Sequence, residues 1–277
     1  MKELARKIIR TLVKNEFTWG VIQKVLVVPG GFATNEKEKY NNRVELEKID
    51  NLLSEPVVLN GPFSGMIYPH KKACGSTLFP KLLGSYEKEL EGIINEICNT
   101  EYTEIVDVGC AEGYYAVGLA MRLPNVKVFA FDINEVALSL CKQMGEINGV
   151  ADRLMLGTFC DTTTLLNLPL TEKALIICDC EGYEKTLFTM EVAEFLKNHD
   201  VLIEVHDLFD LDISQRLRDV FENTHDIQVI TSIDDVKKVS KYNYSEISNL
   251  TLKGKYLALA ESRSAEMDWM FITPKNL

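Results

Sequence analysis

From residue 104 onward, short runs rich in β-branched and aromatic residues alternate with helix-forming stretches. Such alternation is typical of βαβ units, in which parallel strands are covered by helices. The runs 174–178 and 201–205 are largely apolar, as central strands covered on both faces must be. The sequence therefore predicts an α/β fold with a Rossmann-like, seven-stranded, mostly parallel sheet and helices on both faces. The predicted strands are 104–109, 126–132, 153–159, 174–179, 201–206, 227–232 and 267–274.

The first hundred residues follow a different pattern. An amphipathic helix is predicted over 2–15, and short strands are predicted at 21–28 and 56–60. A stretch punctuated by glycine and proline comes next. We interpret residues 1–75 as an N-terminal cap or lid subdomain and residues 76–277 as the ligand-binding domain that contains the sheet.

The charge of the chain limits its partners. The sequence has 30 Lys and Arg against 41 Asp and Glu, a net charge of −11, which repels nucleic acids and anionic membrane surfaces. No apolar run approaches the roughly 20 residues of a membrane span, and the first residues lack a signal-peptide pattern. Seven scattered cysteines without C-x-x-C spacing favour reduced thiols. We expect a cytoplasmic protein that binds neither nucleic acid nor membrane, and the oligomeric state stays open.

The most informative segment follows the first predicted strand and contains Asp107, Gly109, Ala111 and Gly113. Glycines at such a turn allow backbone amides and the next helix N-terminus to approach a ligand closely. Asp132 stands nineteen residues beyond Gly113, at the end of the second strand. An acid at that place can accept hydrogen bonds from the ribose hydroxyls of an adenosine cofactor. The structural alternative is a tight turn with an acid that caps the next helix.

Two adenosine cofactors compete for this turn. In a dehydrogenase, a middle glycine lets the backbone approach the pyrophosphate of NAD(P). Ala111 replaces that glycine, and Asp107 would repel a pyrophosphate but attract the ammonium group of a methionine tail. These residues favour S-adenosylmethionine over NAD(P).

The turn resembles the first motif of the class I S-adenosylmethionine-dependent methyltransferases, which reads acid-x-Gly-x-Gly-x-Gly, although Ala111 departs from it. The resemblance covers about residues 80–275. It implies an antiparallel last strand and places Asp132 at the ribose, Ile133 beside the adenine, and Cys160 and Asp161 at the adenine edge. Asp161 has an alternative role as a helix N-cap. The cofactor residues implied together are Asp107, Gly109, Cys110, Ala111, Glu112, Asp132, Ile133, Cys160 and Asp161.

The ends of the fourth and fifth strands carry a second resemblance. The runs DCEGYE from Asp179 and VLIEVHD from Val201 resemble the Asp-x-Glu-Gly-x-Glu and Glu-x-His motifs of FkbM-type methyltransferases. That resemblance implies O-methylation of a hydroxyl on a sugar or a small natural product. Amide and base N-methyltransferases typically carry an Asn/Asp-Pro-Pro-aromatic motif after the fourth strand. This chain lacks it, so N-methylation is disfavoured.

Acids and one histidine are predicted to meet where the acceptor would bind, because ligands bind beyond the carboxyl ends of parallel strands. His206 is the preferred general base, since an imidazole with an ordinary pKa near 6.5 accepts a proton at neutral pH. Asp179 and Glu181 are the alternative bases. A structural histidine at a strand end is the other interpretation of His206.

A divalent ion is a further hypothesis for the same edge. Asp179, Glu204 and Asp207, with Glu181 nearby, offer hard oxygen ligands of the kind that Mg²⁺ prefers. Solvated or helix-capping acids are the alternative. Two other function classes also stay open: a protein or RNA methyltransferase, and a non-catalytic protein that binds S-adenosylmethionine.

Overall fold

One sheet of seven strands organises the computed structural model, which describes residues 8 and 10–275. The strand order is β3-β2-β1-β4-β5-β7-β6. The pairs among β1 to β5 are parallel, and β7 is antiparallel to both β5 and β6. The predicted seven-stranded, mostly parallel sheet is confirmed. The strands are β1 Glu104–Val108, β2 Lys127–Phe131, β3 Leu154–Gly157, β4 Ala174–Cys178, β5 Asp200–Val205, β6 His225–Thr231 and β7 Asp268–Pro274.

The chain divides into two compact units, a first unit of Met1–Asn51 and a second unit of Leu52–Leu277. The first contains helix α1 (Glu16–Ile22), a π-helix (Gln23–Val27) and helix α2 (Val28–Leu52), which ends one residue into the second. The predicted strand at 21–28 is therefore wrong. A strand needs a neighbour for its backbone groups, whereas a helix pairs them within the segment. Half of the helix predicted over 2–15 lies outside the described residues.

Helices of the second unit precede and separate the strands, as the alternating pattern predicts. No helix among the described residues is both long and apolar enough to cross a membrane. The α-helices are α3 Leu78–Leu83, α4 Glu91–Cys98, α5 Tyr114–Arg122, α6 Glu135–Ile147, α7 Thr162–Leu166, α8 Glu184–Leu187, α9 Met190–Phe195, α10 Ile213–Phe221, α11 Asp235–Lys241 and α12 Leu252–Leu259.

Residues 52–75 belong to the unit that contains the sheet, so the structural division lies earlier than the predicted one at residue 75. Phe63 is buried, and its ring lies edge-on to Tyr114 at 5.2 Å. A Cβ on Gly118 of α5 would lie 2.6 Å from that ring, so the bare helix backbone makes room for it. The predicted strand at 56–60 is reduced to one antiparallel bridge at Val57. A cap function for the N-terminal region stays a prediction.

The order in which strands are added to the sheet reverses between β1 and β4. The chain passes from β1 to β2 and β3 on one side and continues through β4 and β5 on the other. At such a switch point the loops after the neighbouring strands separate and leave a crevice beyond their carboxyl ends. The fold therefore brings the segments after β1, β2, β4 and β5 to one edge.

Candidate active site

A cavity of about 570 Å³ lies at this edge of the sheet. One end is lined by Asp132, Ile133 and Phe159, and the other by Asp179 and His206. Its volume is within the usual range for sites that bind cofactors and small molecules. The turn after β1 lines the stretch between the two ends.

The glycines of that turn are required by packing. Gly109 has φ 86°, and a Cβ there would lie 1.7 Å from the carbonyl oxygen of Asp179. Gly113 has φ 95°, and a Cβ there would lie 2.7 Å from Sγ of Cys141. Their missing side chains thus make room for protein atoms, whereas the sequence predicted room for a ligand. Ala111 takes a φ of 46° in the same turn, a conformation that L-residues rarely adopt.

Asp132, at the end of β2, is hydrogen-bonded to the turn that follows β1. Its carboxylate accepts hydrogen bonds from the backbone N–H of Ala111 at 2.9 Å and of Asn134 at 2.7 Å. A carboxylate has about four lone-pair sites, so it can still accept from two ribose hydroxyls. Ile133 is 80% exposed and lines the cavity with the half-exposed Phe159. This end combines an acid for a ribose with apolar side chains for a base.

Two predicted cofactor residues point elsewhere. Glu112 is fully buried, forms an ion pair with Lys81 and accepts a hydrogen bond from the backbone N–H of Cys74. Asp161 is the N-cap of α7, where it accepts from both the N–H and the hydroxyl of Thr164. Neither lines the cavity, so both predictions are corrected to structural roles. The other predicted positions line it: Asp107, Gly109, Cys110, Ala111, Asp132, Ile133 and Cys160.

Asp107 lies within the cavity wall and is 2% exposed. Burial raises the pKa of its carboxyl to about 7; the Ala116 backbone N–H and Lys81 oppose the shift, while the charge of Asp132 adds to it. Its Oδ2 atom has no hydrogen-bond partner among the described residues. A buried carboxyl with an unsatisfied oxygen favours a ligand that brings a donor or a positive charge.

We expect binding of S-adenosylhomocysteine, which retains the methionine ammonium group, to strengthen as Asp107 ionises. The affinity should rise about tenfold between about pH 5.5 and about pH 7.5, because the bound cation stabilises the charged carboxylate. Isothermal titration calorimetry at several pH values measures this. Asp107→Asn should flatten the profile, and an equally steep profile in that variant would assign the effect to another group.

The segment before β1, which was not among the predicted site residues, also contributes to the cavity. Ser76, Lys81 and Tyr86 line the cavity beside the turn. Lys81 is 2% exposed, and its Nζ atom lies 4.8 Å from the centre of the Tyr86 ring. Gly84 ends α3 with φ 80°, and this turn brings Tyr86 back toward the cavity. The glycines and prolines of this segment predict a turn, but they do not show that the turn faces the cavity.

The other end of the cavity brings together the predicted acceptor residues. Nε2 of His206 lies 3.5 Å from Oδ1 of Asp179, 3.5 Å from Oε2 of Glu181 and 3.6 Å from Oε2 of Glu204. Nδ1 of His206 is hydrogen-bonded to Oε1 of Glu184 at 2.6 Å. The sequence predicted the first four residues at this edge but assigned Glu184 no role.

The pKa values of these groups depend on burial and on one another's charges. Burial disfavours a charged imidazole, but the hydrogen bond to Glu184 and the charges of Asp179 and Glu204 together raise the pKa of His206 to about 9. Burial raises the pKa of Glu204 to about 8 and that of Asp179 to about 6. His206 is therefore protonated at neutral pH in the ligand-free protein. The ordinary pKa on which its predicted role as a base relied does not apply.

Arg263 lies between this cluster and the segment before β1. Its guanidinium contacts Glu87, Glu204 and Glu261, and its side chain is 14% exposed. The described residues at this end supply six carboxyl groups around Arg263 and His206. Glu204 holds a proton at neutral pH because its pKa is about 8, and the other carboxyl groups still outnumber the two cations. The carboxyl groups are those of Glu87, Asp179, Glu181, Glu184, Glu204 and Glu261. Such a site favours a cationic ligand.

Asp207 does not join the predicted metal ligands. Its Oδ1 atom accepts a hydrogen bond from the backbone N–H of Ser214 at the start of α10, and Asp207 does not line the cavity. Three residues do place ligand atoms within 4.8 Å of one another: Asp179, Glu181 and His206. Among the described residues, this cluster therefore contains His206 but neither Glu204 nor Asp207.

Comparison with known proteins finds relatives among methyltransferases. No protein-family model matches the chain. The chain is 27% identical over 192 residues to a release factor glutamine methyltransferase of Flavobacterium psychrophilum, a match that covers 64% of each chain. It is 26% identical over 119 residues to the release factor glutamine methyltransferase of Clostridium botulinum, covering 43% of this chain and 40% of that protein. The chain thus spans less than two thirds of the length of these relatives.

Among solved structures, the precorrin-6y C5,15-methyltransferase of Geobacter metallireducens GS-15 matches with a TM-score of 0.46 and 13% identity. That match covers 66% of this chain and 88% of that one. The resemblance to FkbM-type enzymes stays a prediction. From its strand order and its curated relatives, the chain has the class I S-adenosylmethionine-dependent methyltransferase fold.

Proposed function

We propose that this chain is an S-adenosylmethionine-dependent methyltransferase that methylates a hydroxyl group of a small molecule. The observation that carries the proposal is the continuous cavity. It joins an adenosine-type end at Asp132 to a polar end at Asp179, Glu181 and His206. A cofactor and an acceptor can therefore meet end to end inside one site.

The cofactor half rests on complementary chemistry. Asp132 would accept from the ribose, while Ile133 and Phe159 would contact the base. Asp107 offers a buried carboxyl to the methionine ammonium group, and Lys81 lines the same region. The excess of acids at the far end suits the positive charge of a sulfonium. S-Adenosylmethionine supplies the methyl group in this proposal.

The acceptor half follows from the reaction. The acceptor oxygen attacks the methyl carbon in line as the carbon–sulfur bond breaks. The products are a methyl ether, S-adenosylhomocysteine and one proton. Asp179, Glu181 and His206 surround the place where a hydroxyl would lose that proton. We assign the two carboxylates to deprotonating the acceptor and His206 to binding it.

The acceptor class is a further part of the proposal. The motifs that begin at Asp179 and Val201 resemble those of enzymes acting on sugars and natural products. The net charge of −11 opposes nucleic acid as an acceptor. Leu208 and Phe209 are exposed side chains that line the cavity beside His206. They would contact the apolar part of a small acceptor.

Protein glutamine methylation is the second candidate, because both curated relatives are named for it. An amide nitrogen must be held by hydrogen-bond acceptors, and Asp179 and Glu181 could serve. Against it, DCEG follows β4 where such enzymes typically have Asn/Asp-Pro-Pro-aromatic.

Methyl-labelled S-adenosylmethionine separates the two candidates. We would incubate the protein with a panel of sugars and hydroxylated natural products, and in parallel with a purified release factor. Label in a small-molecule methyl ether, with the release factor unlabelled, is the expected result. Label in a glutamine side chain alone would overturn the hydroxyl proposal while retaining the methyltransferase.

Asp132→Ala tests the cofactor half. The affinity for S-adenosylhomocysteine should fall at least about tenfold, because a charge-assisted bond of about 1.5–3 kcal/mol to the ribose is lost. Calorimetry measures this, with Glu135→Ala in the first turn of α6 as the control. An unchanged affinity in a folded Asp132→Ala protein would contradict the assignment.

A further inference from the structure

We infer that Asp179, Glu181 and His206 form a binding site for a divalent transition-metal ion. The predicted magnesium site used Asp179, Glu204 and Asp207 with Glu181 nearby, all oxygen donors. The observed cluster keeps Asp179 and Glu181 and has the imidazole of His206 in place of Glu204 and Asp207. This changes both the ligands and the kind of ion that suits them.

The distances match a coordination shell. Nε2 of His206 lies 3.5 Å from an oxygen of Asp179 and 3.5 Å from an oxygen of Glu181. Direct hydrogen bonds between such groups are about 2.7–2.9 Å long. Two ligand atoms in a tetrahedral shell are about 3.4 Å apart when each lies about 2.1 Å from the metal. The nitrogen of His206 is therefore spaced from each carboxylate oxygen as one ligand atom is from its neighbour, and all three ligand atoms lie within 4.8 Å of one another.

The orientation of His206 is an independent observation. The side chain is 2% exposed, and Nδ1 is held by the fully buried Glu184 at 2.6 Å. Nε2 is aimed at the cluster and forms no hydrogen bond within the described part of the chain. Metal-binding histidines commonly donate their other ring N–H to a carboxylate, which fixes the ring and the ligating nitrogen. Glu184 has this position, so we assign it as the positioning residue.

The donor set selects the class of ion. One imidazole nitrogen with two carboxylates suits Mn²⁺, Fe²⁺, Co²⁺ or Zn²⁺, whereas Mg²⁺ prefers oxygen ligands alone. Glu204 borders the site, because its Oε2 atom lies 3.6 Å from Nε2 of His206. Its other oxygen is engaged by Arg263. Glu204 would thus help to balance the charge of the ion.

The chemical role of the ion depends on the proposed function, whereas its binding does not. The site lines the acceptor end of the cavity. A bound cation would hold the acceptor oxygen and lower the pKa of its hydroxyl. The proton would then leave to a neighbouring carboxylate or to water as the oxygen–carbon bond forms. His206 would act as a ligand rather than as the general base.

Titration with Co²⁺ alone, followed by its visible absorption and by calorimetry, tests the site without an acceptor. The wild-type chain should bind one ion. His206→Gln and Glu181→Gln should each weaken binding at least about tenfold, and Glu184→Gln about tenfold. Asp210→Asn, an exposed acid paired with Lys185, is the matched control and should bind as wild type does. Mg²⁺ at the same concentration should not displace Co²⁺.

S-Adenosylhomocysteine binding by the same samples keeps the two proposals distinct and shows that each variant is folded. Absence of Co²⁺ binding, or binding equal in His206→Gln and wild type, would overturn the metal site and leave the cofactor assignment intact. Co²⁺ binding without S-adenosylhomocysteine binding would support the metal site and contradict the proposed function. Displacement of Co²⁺ by equimolar Mg²⁺ would contradict the role of the imidazole ligand.

Discussion

Gly109→Ala is expected to lower the free energy of unfolding by about 3 kcal/mol or more. The added Cβ would lie 1.7 Å from the carbonyl oxygen of Asp179, and the backbone there has φ 86°. No side chain can rotate away to relieve a clash with backbone. The turn after β1 and the end of β4 would have to separate, so binding of S-adenosylhomocysteine should be lost as well. Urea unfolding and calorimetry measure the two effects.

Gly149→Ala is the matched control for this substitution. Gly149 also has a positive φ, 70°, but a Cβ there would meet nothing within 4 Å. The control therefore carries only the conformational cost of a left-handed residue, about 1 kcal/mol. Equal losses of stability in the two variants would show that close approach to Asp179 is not what requires glycine at 109.

Lys81→Met is expected to lower the free energy of unfolding by about 3–5 kcal/mol. The side chains of Lys81 and Glu112 are 3% and 0% exposed, and they form an ion pair. Methionine keeps much of the volume of the lysine stem but leaves the carboxylate of Glu112 buried without its cation. That carboxylate also accepts the backbone N–H of Cys74, so the segment before α3 should loosen.

The double variant Lys81→Met/Glu112→Gln should recover more than half of that loss, because no uncompensated charge remains. Lys185→Met removes an exposed pair with Asp210 and should cost less than about 1 kcal/mol. Urea unfolding of wild type, Lys81→Met, Glu112→Gln and the double variant gives the coupling energy between Lys81 and Glu112. Additive losses in the double variant would show that the buried pair does not stabilise the chain as described.

The sheet was predictable because each strand is a short apolar run with its own boundaries. All seven predicted runs overlap a strand, since tertiary packing and local preference agree in the second unit. The segment 21–28 was not predictable in this way. It is rich in valine, which favours strands, yet no strand within the described part of the chain pairs with it and it is helical.

The site was predictable where function follows from position in the fold. Asp132 ends the second strand, and parallel topology places it at the cavity. Glu112 and Asp161 fit the same motif spacing but point to Lys81 and to the start of α7. Spacing places a backbone position, whereas partners distant in sequence decide the direction of a side chain.

Partners distant in sequence also explain what was missed. Glu184 becomes informative only when β5 brings His206 to it, twenty-two residues further along the chain. The guanidinium of Arg263 meets Glu87 across 176 positions. The raised pKa of His206 has the same origin, because it depends on Asp179 after β4, on Glu184 at the start of α8 and on Glu204 in β5.

Calorimetric titration of the chain with S-adenosylhomocysteine, with NADH as the competing adenosine ligand, decides which cofactor the cavity binds. We expect one S-adenosylhomocysteine bound per chain, weakened at least about tenfold by Asp132→Ala, and no binding of NADH. Tight binding of NADH with no heat from S-adenosylhomocysteine would contradict the assignment of this cavity to a methyl donor.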